Sequence, residues 1–79
     1  MLEQPSKEYG AFIQFERNRK NLTREKFSVL IRIPVYMVER LENSDVYPAD
    51  SLIEKISSVL DIPFHVLKTI IWNDPPENK

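Results

Sequence analysis

Seven basic side chains fall between Arg17 and Arg40 (Arg17, Arg19, Lys20, Arg24, Lys26, Arg32 and Arg40), against two acidic ones, Glu25 and Glu39, a local charge of +5. From Ser44 to Lys79 the balance reverses, with six acidic and three basic residues. A basic half and an acidic half in one small chain describe either an oriented electrostatic surface that attracts anions or an ordinary solvated surface of mixed charge. Candidates for catalysis are weaker. Glu39 and Glu42 lie one helical turn apart, but one is expected outside and the other paired, a poor acid–base couple. His65 is the single histidine and there is no cysteine. It has no second ligand for a metal site and no serine or cysteine at a nucleophile's spacing, so a partly buried structural histidine is expected. With one glycine, Gly10, no glycine-rich loop can cradle a phosphate. These residues predict no enzyme, no metal and no cofactor.

The elements that must position the basic residues belong to one domain. At 79 residues a chain buries roughly 60% of its unfolded surface, which leaves little room for an internal active site. The composition, 42% apolar and 29% charged with net charge −1, is ordinary for a soluble globular domain. The absence of cysteine excludes a disulfide framework and suits a reducing compartment. The start, MLEQPSKEYG, has no signal-peptide core. The apolar stretches around Phe27–Ile33 and Ile62–Trp72 are too short and too interrupted to span a bilayer. A cytoplasmic protein without a membrane segment is expected. Residues 1–8 read as a flexible arm, 9–72 as the domain and 73–79 as a disordered tail.

The apolar spacing is helical almost throughout, and scarce glycine disfavours hairpins. Tyr9, Phe12, Ile13 and Phe15 mark a first helix, ending near Arg19–Asn21 with Asn21 suited to a left-handed cap. Thr23 is a good N-cap for the second, whose buried face is expected to be Phe27, Leu30 and Ile31. Pro34 stops it and opens a third helix, from about Pro34 to Asn43, with Val38 and Leu41 inside. Asp50 or Ser51 caps a fourth, where Leu52, Ile53, Ile56, Val59 and Leu60 repeat at 3–4 spacing. Asp61-Ile62-Pro63 breaks it. A fifth runs from about Pro63 to Ile71. The fold class is all-α, five helices.

The ordered set Arg17, Leu22-Thr23, Phe27, Leu30, Ile33-Pro34, Val38, Leu41-Glu42-Asn43, Pro48, Leu52-Ile53-Ile56 and Leu60-x-Ile62 resembles the lambdoid phage repressor and Cro (XRE-type) helix-turn-helix regulators, over about Tyr9 to Ile71. The resemblance implies a compact five-helix domain with the helix-turn-helix at helices two and three. It also implies a structural ion pair between Arg17 and Glu42. Helix three would enter the major groove of double-stranded DNA, as a homodimer on a palindromic operator with recognition helices roughly 34 Å apart. Val35, Tyr36, Glu39 and Arg40 then share the face towards the bases. Arg40 suits a bidentate bond to guanine, Tyr36 a hydrogen bond to a phosphate or packing on a thymine methyl, and Val35 only the methyl contact. Arg19, Lys20, Arg24, Lys26, Arg32 and Asn43 are the expected phosphate contacts, which supply affinity without sequence information.

The chain departs from this pattern at several positions. Val35 and Tyr36 stand where small polar or amide residues are usual, and Ser44 and Arg32 where glycine is usual. Asp45 replaces a frequent Lys or Arg. Arg32 is therefore expected to take a positive φ. Glu39 and Asp45 would repel phosphates, and an apolar, aromatic face also suits a protein partner. Ile33-Pro34, Leu41-Glu42-Asn43, Asp45 and Pro48 also resemble the helix-turn-helix domain of RodZ-type cell-shape proteins, which implies a possible protein partner instead of DNA. Phe64, Ile70, Ile71 and Trp72 exceed what a short last helix needs for packing, and are expected either in the core or at an isologous dimer interface.

Overall fold

A computed structural model describes residues 9–46 and 48–72. The expected arm, 1–8, and tail, 73–79, lie outside the described residues. The elements are α1 (Tyr9–Arg19), α2 (Arg24–Ile31), α3 (Val35–Glu42), α4 (Asp50–Leu60) and α5 (Phe64–Trp72), all α-helical. α1 packs on α3 and α5, α2 on α3 and α4, and α4 on α5. The helices meet over one core of Tyr9, Ile13, Phe27, Ile31, Val38, Leu41, Ile53, Ile56, Leu60, Leu67 and Ile71. The 3–4 repeat of α4 delivers Ile53, Ile56 and Leu60 to it, as an amphipathic helix must.

Helix ends carry much of the sequence logic. Asn21, Arg32, Ser44 and Asp61 all have φ near +60°, and among the described residues no glycine has positive φ. At Asn21, Arg32 and Ser44 the amide of the left-handed residue bonds back to the carbonyl three residues earlier. The next amide bonds back to the carbonyl five earlier, the Schellman closure that satisfies orphan carbonyls. Side chains other than glycine adopt this backbone at a cost of order 1 kcal/mol or more each.

The structure corrects several expectations. Leu30 is 51% exposed rather than buried, and Ser28 takes the inner position; its hydroxyl donates to the Glu25 carbonyl at 2.7 Å. α2 meets the core through Phe27, Ser28 and Ile31, a stripe rotated by roughly 50° from the one containing Leu30, at 100° per residue. Phe15 also faces solvent. Pro34 is the extended residue before α3, not its first. Ala49 precedes α4 without a side-chain cap, so Asp50 lies in the first turn. There its charge meets the positive end of the helix and Lys68 of α5 at 3.3 Å. His65 is exposed, not partly buried. Ile71 is fully buried in the core, so it has no surface to give a dimer interface.

Candidate nucleic-acid interface

The geometry of α2, the turn and α3 is set at three residues. Thr23 accepts the Lys26 amide at 3.0 Å through its hydroxyl, capping one of the orphan donors at the start of α2. Arg32 is left-handed (φ 62°, ψ 45°) and turns the chain out of α2, as expected from its replacement of a glycine. Pro34 is extended (φ −64°, ψ 154°) and has no amide to leave unsatisfied; its carbonyl accepts from Met37 and Val38. α3 therefore begins afresh at an angle to α2 instead of continuing it.

α3 is sharply two-sided. Val38, Leu41 and Glu42 face inward. Tyr36, 60% exposed, lies outward with Glu39 and Arg40, and Val35 is half-buried at the edge. The four residues expected to face bases thus lie together. Asn43 is exposed at the helix end, its amide donating to the Glu39 carbonyl at 3.0 Å.

Glu42 anchors α3 beneath this face. Its side chain is 1% exposed and is met by both Arg17 and Arg24. Arg17 Nε donates to Oε2 at 2.5 Å and Nη2 to Oε1 at 3.2 Å, while Nη1 donates to the Leu22 carbonyl at 2.7 Å. Arg17 and Glu42 are both buried, as the expected pair requires. Arg24 Nε adds a third bond to the carboxylate, at 2.9 Å, a contact the sequence did not disclose. That hydrogen bond, and after it the charge of Glu42, holds the Arg24 guanidinium above its ordinary pKa.

The other cations are held loosely. Arg19 meets Glu16 at 3.1 Å, Lys20 meets Asp61 at 3.7 Å and Arg40 meets Asp45 at 3.6 Å, all with at least one exposed partner. Such pairs contribute about 0–1 kcal/mol and exchange readily for another anion. Lys26 and Arg32 are exposed and form no ion pair among the described residues.

Two residues that positioning depends on had no packing role expected from the sequence. Gly10, inside α1, lies where an added Cβ would sit 2.6 Å from the Leu41 carbonyl oxygen and closer still to that of Glu42. Ser44 accepts the Gly10 amide at 2.8 Å through its hydroxyl; its standing where glycine is usual was the available signal. Beside them Tyr9 donates its hydroxyl to the Val46 carbonyl at 2.8 Å, and burial pushes its pKa up to about 12. Together these bonds dock the C-terminal end of α3 on α1.

Among the described residues no group of His, Cys, Asp and Glu is arranged to hold a metal, and no helix is long and apolar enough to cross a membrane.

No family model matches the chain, and no curated protein matches it. Solved structures do. The restriction-modification controller protein C.AhdI from Aeromonas hydrophila superposes with a TM-score of 0.71 at 23% identity, over 77% of this chain and 92% of that one. SinR, the master regulator for biofilm formation, solved in complex with DNA, gives 0.68 at 24% identity, over 76% of this chain and 97% of that one. PlcR from Bacillus thuringiensis, solved with the peptide PapR7 and DNA, gives 0.74 at 26% identity over 82% of this chain, which spans only 23% of PlcR. These neighbours are XRE-family helix-turn-helix regulators, and the chain has their five-helix fold, with α2 and α3 as the helix-turn-helix.

Proposed function

We propose that this chain is a sequence-specific DNA-binding transcriptional regulator that places α3 in the major groove. The observation that carries the reading is the two-sided α3. Val35, Tyr36, Glu39 and Arg40 stand together on its outer side, and α2 and the turn that precede it carry the exposed cations Lys26 and Arg32 and the half-exposed Arg24. SinR and PlcR, whose fold it shares, were each solved with DNA. Arg40 would exchange Asp45 for a guanine edge. Arg19, Lys20, Arg24, Lys26, Arg32 and Asn43 would meet phosphates. The regulator would act in the cytoplasm, without a cofactor, as a homodimer on a palindromic operator. Phe64, Ile70 and Trp72, partly buried along α5, would form the isologous contact.

An unbiased selection of duplexes, followed by anisotropy titrations, tests this. The expected result is an enriched half-site and binding that weakens steeply with salt. Arg40→Ala should relax sequence preference, and Lys26→Ala should weaken all duplexes alike. No bound duplex at low salt sinks the reading. A monomeric mass by light scattering at high micromolar concentration sinks the dimer.

A second reading rests on a different observation. Val29 and Leu30 on α2 are 74% and 51% exposed, and Tyr36 on α3 is also out. An aromatic and aliphatic surface of this kind suits a protein partner. It predicts a pull-down partner lost on Tyr36→Ala. Competition by DNA for the same face returns the argument to the first reading.

A further inference from the structure

Arg24 and Lys26 both lie in the first turn of α2, yet their settings differ. Arg24 bonds through Nε to Glu42, with its side chain 41% exposed, whereas Glu42 itself is sealed. Lys26 is exposed and has no carboxylate partner among the described residues. The Glu42 carboxylate serves two guanidinium groups, so these three side chains keep one net positive charge; Glu39 and Glu25 lie close enough to act on Arg24 as well, and Arg24 is the solvent-facing end of the trio. A guanidinium is planar and rigid, so a bond that fixes Nε also fixes the direction of both terminal nitrogens. The Arg24 side chain makes no other hydrogen bond among the described residues, which leaves those nitrogens to a ligand. Their matched acceptor is a pair of anionic oxygens, as on a phosphodiester. The positive end of α2 favours the same charge.

We propose that Glu42 is a positioning residue for the DNA backbone. From the recognition helix it holds Arg24 of the neighbouring helix as a pre-set fork, which grips one phosphate and fixes the rotation of α3 in the groove. This rests on the DNA-binding reading above and deepens it. Fixing the fork before binding reduces the side-chain ordering cost of association. It also makes Arg24 differ from Lys26, which supplies charge alone.

The test is a reciprocal exchange, Arg24→Lys and Lys26→Arg. Each variant is titrated against a duplex recovered by unbiased selection and an unrelated duplex of equal length, at several salt concentrations. Arg24→Lys should weaken both duplexes about tenfold, the scale of one charge-assisted hydrogen bond. Its salt slope should stay near that of the parent, because the charge remains. Lys26→Arg should bind within about twofold of the parent, as expected where only charge is used. In the unbound protein the Arg24 Nε–H group should show a high heteronuclear NOE, and that of Arg32, which has no carboxylate partner among the described residues, a low one. Glu42→Gln, where it folds, should loosen Arg24 and reproduce the Arg24→Lys loss; where it does not fold, the exchange decides alone. Equal affinities for Arg24→Lys and the parent, or an Arg24 Nε–H as mobile as that of Arg32, overturn the proposal while leaving DNA binding intact. A parent protein that binds neither duplex overturns both.

Discussion

Gly10→Ala should destabilise the domain, although alanine is the better helix former. Exchanging Gly for Ala in a helix interior contributes about 1 kcal/mol. Against this stands the crossing of α1 and α3. The new methyl carbon would sit 2.6 Å from the Leu41 carbonyl oxygen and closer still to the carbonyl of Glu42. All these atoms are backbone, so no side chain can swing aside, and α1 must shift away by about 1 Å to restore van der Waals distance. Overpacking of this kind costs about 1–3 kcal/mol and at times more. The shift would also stretch the bonds from Gly10 to Ser44 and from Tyr9 to Val46, both 2.8 Å. The net loss is about 1–3 kcal/mol. At about 4–8 °C per kcal/mol for a domain of this size, Tm should fall by about 5–20 °C. Thermal melts by far-UV circular dichroism, with a urea titration to check that the m-value holds, measure it. An unchanged or raised Tm would show that the helices do not approach this closely and would refute the reasoning.

Glu42→Ala should cost about 3–5 kcal/mol by stranding Arg17 in the interior, and replacing Arg17 and Glu42 together by Met and Leu should recover most of it; chemical denaturation of both variants measures the difference. Tyr9 carries a pH signature: its pKa is raised to about 12 from 10.0 by burial, so the folded state keeps a proton that the unfolded state releases. That stability is fully present below pH 10 and falls between about pH 10 and 12, by about 2–3 kcal/mol. Urea midpoints across that range should show the fall, and Tyr9→Phe should flatten it. Asp61→Gly should stabilise by up to about 1 kcal/mol, since it relieves a left-handed residue at φ 65°. It gives up only the 3.7 Å contact to Lys20, in which Asp61 is largely exposed; a lower Tm would contradict this.

The legible parts of the fold share a physical origin: each was decided within a few residues. Thr23 as a cap, Asn21 as a left-handed closure and the α4 stripe all follow from local geometry. The left-handed Arg32 and the Arg17–Glu42 pair came from the resemblance, and the structure bears both out. What stayed hidden depended on how helices meet. A reading that prefers Leu to Ser at an inner position chose Leu30 over Ser28, but the placement of α2 against α3 and α4 decides the edge of its stripe. A serine fits inside because its hydroxyl reaches a carbonyl of its own helix. Ile71 belonged to an apolar run whose i, i+4 partner Leu67 points to the core, and only the packing of α5 on α4 and α1 separates the two from the half-buried Phe64, Ile70 and Trp72. Gly10 carried no local signal, since its role is set by carbonyls more than 30 residues away. Arg24 looked like any surface cation until α3 brought Glu42 beside it.

If the outer side of α3 and the exposed cations engage duplex DNA, affinity must depend on salt and sequence preference on Arg40. The most direct measurement is the salt dependence of binding to a duplex recovered by unbiased selection, for the parent and for Arg40→Ala. The expected result is a linear fall of log affinity with log salt, about 0.9 per phosphate neutralised, and a loss of preference over unrelated duplex when Arg40 is removed. Binding insensitive to salt, or a preference that survives the loss of Arg40, would contradict it.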